Sequence, residues 1–303
     1  QTSAASVATP KPTTPAPAAS APPTKPAAPT TGSTWRIAAE FLVSNGGSFV
    51  ASKNGVNSQI LTAKEIPSGR FDIIELNLDR LNSVLPPLKT PDMAPLNGLR
   101  DLRRVNIRPV KPGLEDAAFA FLADNEELNW RNLEGVPDVT DALLPHLASA
   151  KKLDYLAIQY ATKFTGRGLD QIAGAASITT LETLTCGITD EGLRAISTFK
   201  KLQTFRTTSP DITTAGFATL TSLKTLTSLT LSGTAFDDEA AGFVSSMTGL
   251  TNLDLGGTKI TDAGLAKLKT LKKLTSLNLG GTTVTPEAAA EFQKVMPQCR
   301  VTR

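Results

Sequence analysis

The chain has 303 residues, with 31 lysines and arginines against 28 acids and a single histidine. A formal charge of +3 is too mild to argue for a nucleic-acid partner. No run of about 18 apolar residues occurs, so no segment reads as a membrane span.

Residues 1–34 are a distinct material. Of these 34 residues, 29 are Ala, Pro, Ser or Thr, and eight are proline. Such a segment buries too little apolar surface to offset its conformational entropy. It predicts a disordered, partly extended linker or stalk. The chain begins at Gln1. A removed secretory signal peptide followed by a spacer fits this start, and a fragment of a larger protein is the alternative.

Residues 35–70 read as an N-terminal cap. Ser33 or Thr34 is placed to cap a helix over WRIAAEFLVSNGG. Ile37, Ala38, Phe41 and Leu42 form its apolar stripe, and Asn45-Gly46-Gly47 its stop. SFVAS and SQILT flank Lys53-Asn54-Gly55 and read as a small hairpin. Together they are expected to cover the apolar face of the first repeat, as the end of a stacked array requires.

Residues 71–285 repeat. LTSLTLSGTAF begins at Leu226, LTNLDLGGTKI at Leu250 and LTSLNLGGTTV at Leu274, a period of 24. Leu253 and Leu255 lie on one side of a strand, with Asn252, Asp254 and Gly256 on the other. In TDAGLAKLKTL, Leu265, Leu268 and Leu271 recur at helical spacing, which predicts a short helix or 3₁₀ segment. Thr261 stands at the N-cap and Asp262 in the first turn. Thr285-Pro286 repeats that logic. One unit cannot bury enough surface to fold alone, so stacked units share a core.

The phrase decays toward the N-terminus. Its inward slots are filled by Leu202, Phe205 and Thr207, then by Ile178, Leu181 and Thr183, with Cys186 in the threonine slot. Before these come Leu153, Leu156 and Ile158, then Leu128, Arg131 and Leu133. Leu102, Val105 and Ile107 follow, and Ile73, Leu76 and Leu78 mark the first rung. About nine strands are expected, starting near 73, 102, 128, 153, 178, 202, 226, 250 and 274. Arg131 on an inward slot makes the third rung the least regular. The fold class is α/β: a right-handed leucine-rich-repeat solenoid of about nine rungs with parallel strands on its concave face. Residues 286–303 form a C-terminal cap, a helix over PEAAAEFQKVM and an extended QCRVTR.

The pattern LTxLxLxxTxITDxGLxxL resembles the bacterial leucine-rich repeats common in planctomycetes and related phyla. There such repeats occur in secreted proteins and in extracytoplasmic parts of some serine/threonine kinases. Those proteins often open with a helix ending in Gly-Gly and a hairpin, like WRIAAEFLVSNGGSFV. They often close with a proline-cysteine-basic ending, like VMPQCRV. The resemblance covers roughly residues 35–303 and is specific at both ends and over 178–284. It implies protein or ligand binding and transfers no catalytic residue. The repeat is also similar to that of F-box substrate adaptors, but no F-box-like segment is present, so ubiquitin-ligase function is not implied.

Signals for chemistry are few. Cys186 and Cys299 lie about four rungs apart, roughly 20 Å at the 4.8 Å strand spacing, beyond disulfide reach. Two buried free thiols are expected. His146 has no signalled partners for a triad or metal site. Gly166-Arg167-Gly168 matches the helix-entry slot rather than a dinucleotide fingerprint. Asp92, Asp116, Asp141, Asp190, Asp238 and Asp262 recur at helix starts, where capping or first-turn charge explains them. Their stacking on neighbouring rungs leaves weak cation binding open.

The outward strand positions are more informative. Early rungs present Glu75, Asn77, Asp79; Arg104, Asn106, Arg108; Trp130, Asn132, Glu134; Tyr155, Ala157, Gln159; Thr180, Glu182, Leu184; and Thr204, Arg206, Thr208. Later rungs present only small polar residues such as Ser228, Asn252 and Ser276. Trp, Tyr and Arg dominate binding hot spots, and arginines suit acidic partners. The bland alternative is that Arg104, Glu134 and their neighbours pair across strands, and that Trp130 turns inward if the third rung shifts by one. The reading is a non-enzymatic binding protein without cofactor or metal, secreted, periplasmic or at the cell surface. It recognises a protein or polysaccharide through Arg104, Arg108, Trp130, Tyr155, Glu182 and Arg206. A structural packing module is the alternative, followed by a sensor ectodomain fragment or an enzyme.

Overall fold

A computed structural model describes residues 34–79, 85–109, 112–172 and 174–303. The linker expected over residues 1–34 lies outside the described residues, except for Thr34. Helix α1 spans Thr34–Ser44 and buries Ala38, Ala39 and Leu42. Ile37 departs from its expected place in the apolar stripe and is exposed. Ala39 takes the inward place instead, because the helix presents a narrow small-residue face to the sheet. The helix ends at Asn45, whose side chain donates to the Phe41 carbonyl at 2.9 Å.

Strands β1 (Ser48–Lys53) and β2 (Val56–Ile60) form the hairpin. Asn54 and Gly55 both have positive φ, 52° and 79°, as a two-residue turn matching strand twist requires. The hairpin does more than lie over the first rung. β1 pairs antiparallel with β3 (Asp72–Asp79), so the hairpin extends the sheet itself.

The remaining strands are β4 (Arg104–Arg108), β5 (Trp130–Glu134), β6 (Tyr155–Gln159), β7 (Thr180–Thr183), β8 (Thr204–Thr207), β9 (Ser228–Thr230), β10 (Asn252–Asp254), β11 (Ser276–Asn278) and β12 (Arg300–Thr302). From β3 to β12 each strand pairs in parallel with the next, in one open 12-stranded sheet. The last segment, an unpaired extended piece by sequence pattern, thus becomes a further parallel strand.

The opposite side of each rung changes character along the chain. Early rungs use 3₁₀ segments, Thr90–Leu96, Asp116–Leu122, Asp141–Leu147 and Leu169–Gln171. Later rungs use helices α2 (Asp190–Ile196), α3 (Thr214–Thr219), α4 (Asp238–Val244), α5 (Asp262–Lys267) and α6 (Pro286–Val295). Pro95 and Pro145 sit inside two of the 3₁₀ segments, where a missing N–H disfavours a continuous α-helix.

Three recurring side-chain roles explain the repeat. The ninth-place threonine is buried, and its hydroxyl donates to the carbonyl three residues earlier: Thr234 to Leu231 and Thr258 to Leu255, both at 2.7 Å. The glycine before it, at Gly233, Gly257 and Gly281, has φ of 66–72°, a conformation that favours glycine. The same backbone slot holds Tyr160 at φ 57° and Thr185 at φ 55° in earlier rungs. The recurring aspartates sit in the first turn, as expected, and most of them also do something further. Asp190, Asp238 and Asp262 each accept from the backbone N–H and hydroxyl of the next rung's threonine, Thr213, Thr261 and Thr285. Asp116 does so with Thr140, and Asp141 with Thr165 and the Gly166 N–H. Thr140, Thr261 and Thr285 in turn cap their own helix or 3₁₀ segment, whereas the Thr213 side chain makes no cap bond. A carboxylate thus clips one rung to the next.

The core is continuous through the rungs, and two buried polar residues contrast within it. Asn125 is fully buried and makes three hydrogen bonds, to the Leu99 and Phe121 carbonyls and from the Leu102 N–H. Arg131 is also fully buried, in register between Val105 and Leu156, and none of its three guanidinium nitrogens has a hydrogen-bond partner. The third rung therefore keeps its register with an arginine on an inward slot. Burial pushes the Arg131 pKa down to about 9. Nearby His146 is held below its ordinary 6.5, first by burial and then by the Arg131 charge.

The folded pKa of Arg131 lies below the unfolded one, so its penalty is full at neutral pH and lifts only as pH rises through about 9. Arg131→Met removes an unpaired buried cation while filling its space. It should raise stability by about 1–4 kcal/mol, read as a higher melting temperature at pH 7. A lower melting temperature would show that the guanidinium holds the rung together.

Candidate functional site

Strand pairing places the outward residues in columns across the sheet's open face. One column runs Glu75, Arg104, Trp130, Tyr155, Thr180 and Thr204. The next runs Asn77, Asn106, Asn132, Ala157, Glu182 and Arg206. Asp79, Arg108, Glu134 and Gln159 lie beyond.

The first column holds a three-layer stack. The Trp130 and Tyr155 rings are 5.2 Å apart and nearly parallel at 13°. The Arg104 guanidinium lies over the opposite face of the local stack, 5.0 Å from the Trp130 ring centre. Strand spacing near 4.8 Å is what allows such stacking between neighbouring rungs. Trp130 therefore points outward and is half-buried. Arg104 is exposed, and among the described residues no carboxylate lies within 4 Å of it.

The second column is a hydrogen-bonded ladder. Asn106 donates to Asn77 at 2.8 Å, and Asn132 donates to Asn106 at 3.0 Å. The chain of amides stops at Ala157, which offers no side-chain donor, and the Asn132 Oδ1 is left buried without a partner. Beyond it Glu182 accepts from Gln159 at 3.0 Å and pairs with Arg206 at 3.4 Å.

Arg108 is the most committed cation. It pairs with Asp79 at 3.1 Å and with Glu134 at 2.8 Å, and its Nη2 donates to Glu134 at 3.0 Å. These carboxylates raise its pKa against the opposing effect of burial. Cross-strand pairing thus accounts for Arg108 and in part for Arg206, whereas Arg104 packs on an aromatic ring.

A pocket of about 320 Å³ opens at the N-terminal end of this face. Glu75, Asn77, Arg104, Asn106 and Trp130 line it from the rungs, and Gln59 and Val50 from the hairpin. The hairpin residues were missed in sequence because the hairpin reads as a cover rather than as part of the sheet. Tyr160 is exposed and lies outside this pocket. It is a large residue in the slot that regular rungs give to glycine. Among the described residues no group of three His, Cys, Asp or Glu is placed to hold a metal. Cys186 and Cys299 are free and buried.

The six residues singled out by sequence lie on this one face, with Arg104, Trp130 and Tyr155 together, Glu182 and Arg206 paired, and Arg108 to one side. A family profile described as Leucine Rich repeat matches residues 247–269. The chain carries a leucine-rich repeat. An internalin (inlF) of Listeria monocytogenes superposes with a TM-score of 0.52 at 17% identity, covering 69% of this chain and 62% of that one. An internalin C2 (inlC2) of the same organism gives 0.47 at 20%, covering 71% and 84%. TLR13 in its complex with ssRNA13 gives 0.45 at 16%, covering 71% and 33%. The match to the first internalin spans less than two thirds of its length. No curated protein sequence matches the chain. At these identities the likeness is one of fold, a leucine-rich-repeat solenoid with an open sheet. Among the described residues no helix is long and apolar enough to cross a membrane.

Burial, then the neighbouring Glu182, pushes the Tyr155 hydroxyl up to about 12. The chain has two tyrosines. Tyr160→Phe therefore leaves Tyr155 as the only phenol in an ultraviolet titration. Its midpoint should lie near 12 and should fall when Glu182→Gln is added, with circular dichroism confirming the fold at each pH. A midpoint that ignores Glu182→Gln would separate the ring from that carboxylate.

Proposed function

We propose that the chain is a non-enzymatic binding protein that recognises a protein partner on the open face of its early rungs. The observation that carries this reading is the Arg104–Trp130–Tyr155 stack beside a polar pocket. Aromatic and arginine side chains held rigidly by their neighbours lose little entropy on contact, which is the character of a binding hot spot. Arg104 keeps its guanidinium edge for a carboxylate of the partner. Stacking on both sides of Trp130 favours a protein over a sugar ring, because a sugar needs a bare aromatic face. The chain's resemblance to bacterial secreted repeat proteins supports a secreted, periplasmic or surface location. It also supports the absence of catalysis, a cofactor or a metal.

The reading is tested with the triple variant Trp130→Ala/Arg104→Ala/Arg206→Ala in a pull-down and on a glycan array. The variant should lose the captured protein by at least about tenfold, as hot-spot truncations of about 2 kcal/mol each imply. Unchanged capture by the triple variant would remove the site from this face. Selective loss of a glycan signal instead would replace the protein with a polysaccharide.

A further inference from the structure

The edge of the solenoid where each rung turns back into its next strand carries a separate signal. In the C-terminal half these turns are residues 197–203, 221–227, 245–251 and 269–275. They contain no aspartate or glutamate. They do contain Lys200, Lys201, Lys224, Lys272 and Lys273, all exposed, and the half-buried Lys269. Among the described residues none of the five exposed lysines has a carboxylate within 4 Å. Lys200 and Lys272 touch only uncharged acceptors, the Ser197 carbonyl and the Met296 sulfur.

The repeat alone does not require this row. Earlier on the same edge, cations are neutralised rung to rung: Arg100 by Asp124 at 3.3 Å, Lys151 by Glu126 at 3.0 Å and Lys152 by Glu127 at 2.7 Å. That pairing stops at Ala175, Ala176 and Ser177, and among the described residues no lysine of the later turns pairs with a carboxylate. On the other edge the later rungs carry acids at the helix entries, Asp237, Asp238, Glu239 and Asp262. A mild net charge conceals a molecule with one basic edge.

The row is also rigid. Thr225 donates to the carbonyls of Lys200 at 3.0 Å and Leu202 at 2.8 Å. Ser222 donates to Ser197 at 2.9 Å, and Thr270 to Ser245 at 2.7 Å. Each turn is fastened to the one before it, so the lysines of 197–203, 221–227 and 269–275 project from a fixed line, with a gap at 245–251, which carries none.

We propose that this edge binds a linear acidic polysaccharide lying along the solenoid axis. Like charges repeated along one axis match a linear polyanion, and its binding gains from released counterions. No aromatic is exposed on these turns, so nucleic-acid bases have nothing to stack on. Phe199 and Met247 are buried, so no apolar wedge enters a bilayer. Carboxylate or sulfate groups on a sugar chain need only the compact ammonium charges that are present.

The test uses the full chain, a sulfated polysaccharide and polygalacturonate as probes, and binding measured across a salt series. The variant Lys200→Ser/Lys201→Ser/Lys224→Ser/Lys272→Ser/Lys273→Ser should bind both about a hundredfold more weakly at low salt, with a shallower salt slope. The control Arg36→Ser/Lys53→Ser/Lys64→Ser/Lys89→Ser/Lys259→Ser has the same net charge and should stay within about threefold of wild type. The open-face triple variant should also bind both probes unchanged, which separates this edge from the protein site. Equal losses in the two charge variants would reduce the effect to net charge and overturn the proposal. Tighter wild-type binding to single-stranded DNA or to phosphatidylserine vesicles would overturn it as well.

Discussion

Every rung depends on the rung beside it for its backbone hydrogen bonds. A parallel strand has no hairpin partner of its own, so its N–H and C=O groups are satisfied only by stacking. The chain meets this demand twice. Strands pair from β3 to β12 on one side, and aspartate-to-threonine clips join successive rungs at the helix entries. The clip uses a charge-assisted bond where the threonine is also a cap, so one residue fixes both its own helix and the spacing to the previous one. The leucines fill the space between these two fastenings. They supply the apolar burial, while the clips and the ladder set the register.

That constraint explains why irregularity is concentrated where the open face is rich. Register partners lie 29 residues apart from Asn77 to Asn106 and 26 from Asn106 to Asn132. They settle to 24 from Glu182 to Arg206 and from Asp254 to Asn278. Additional residues in the early rungs are absorbed by loops and 3₁₀ segments, and the strands still align. Arg131 and the left-handed Tyr160 and Thr185 fall within or beside the same stretch. Local rules are broken there while the ladder persists, as is common where a surface serves recognition rather than stability.

The regular rungs were legible in the sequence because each leucine, glycine and threonine has one local job that recurs. Leu253 and Leu255 are buried and Asn252 is exposed, as alternation requires. The open-face columns were also legible, since they follow from the same alternation. What escaped was anything set by a partner on another rung. Asp262 reads as a first-turn charge on its own helix, and its carboxylate also reaches Thr285 on the next rung. The stacking of Trp130 on Tyr155 depends on a register between phrases of unequal length. The hairpin's place in the sheet depends on an antiparallel pairing of β1 with β3 that no periodicity announces. Ile37 shows the same limit on a helix, where spacing marks a stripe but the neighbour decides its width.

The shared strand phrase of the units carrying β9, β10 and β11, LTxLxLxGT, makes this end of the molecule modular. Each of these strands meets its neighbours through the same three positions. A unit of 24 residues, the separation of Asp254 from Asn278, therefore meets the sheet in the same backbone register as the one before it. Gene-level duplication or loss of one unit lengthens or shortens the array without creating a new kind of contact. The open face of the early rungs, β3 to β8, keeps its own strand neighbours through such changes, so the length of the array and the early face are free to evolve separately.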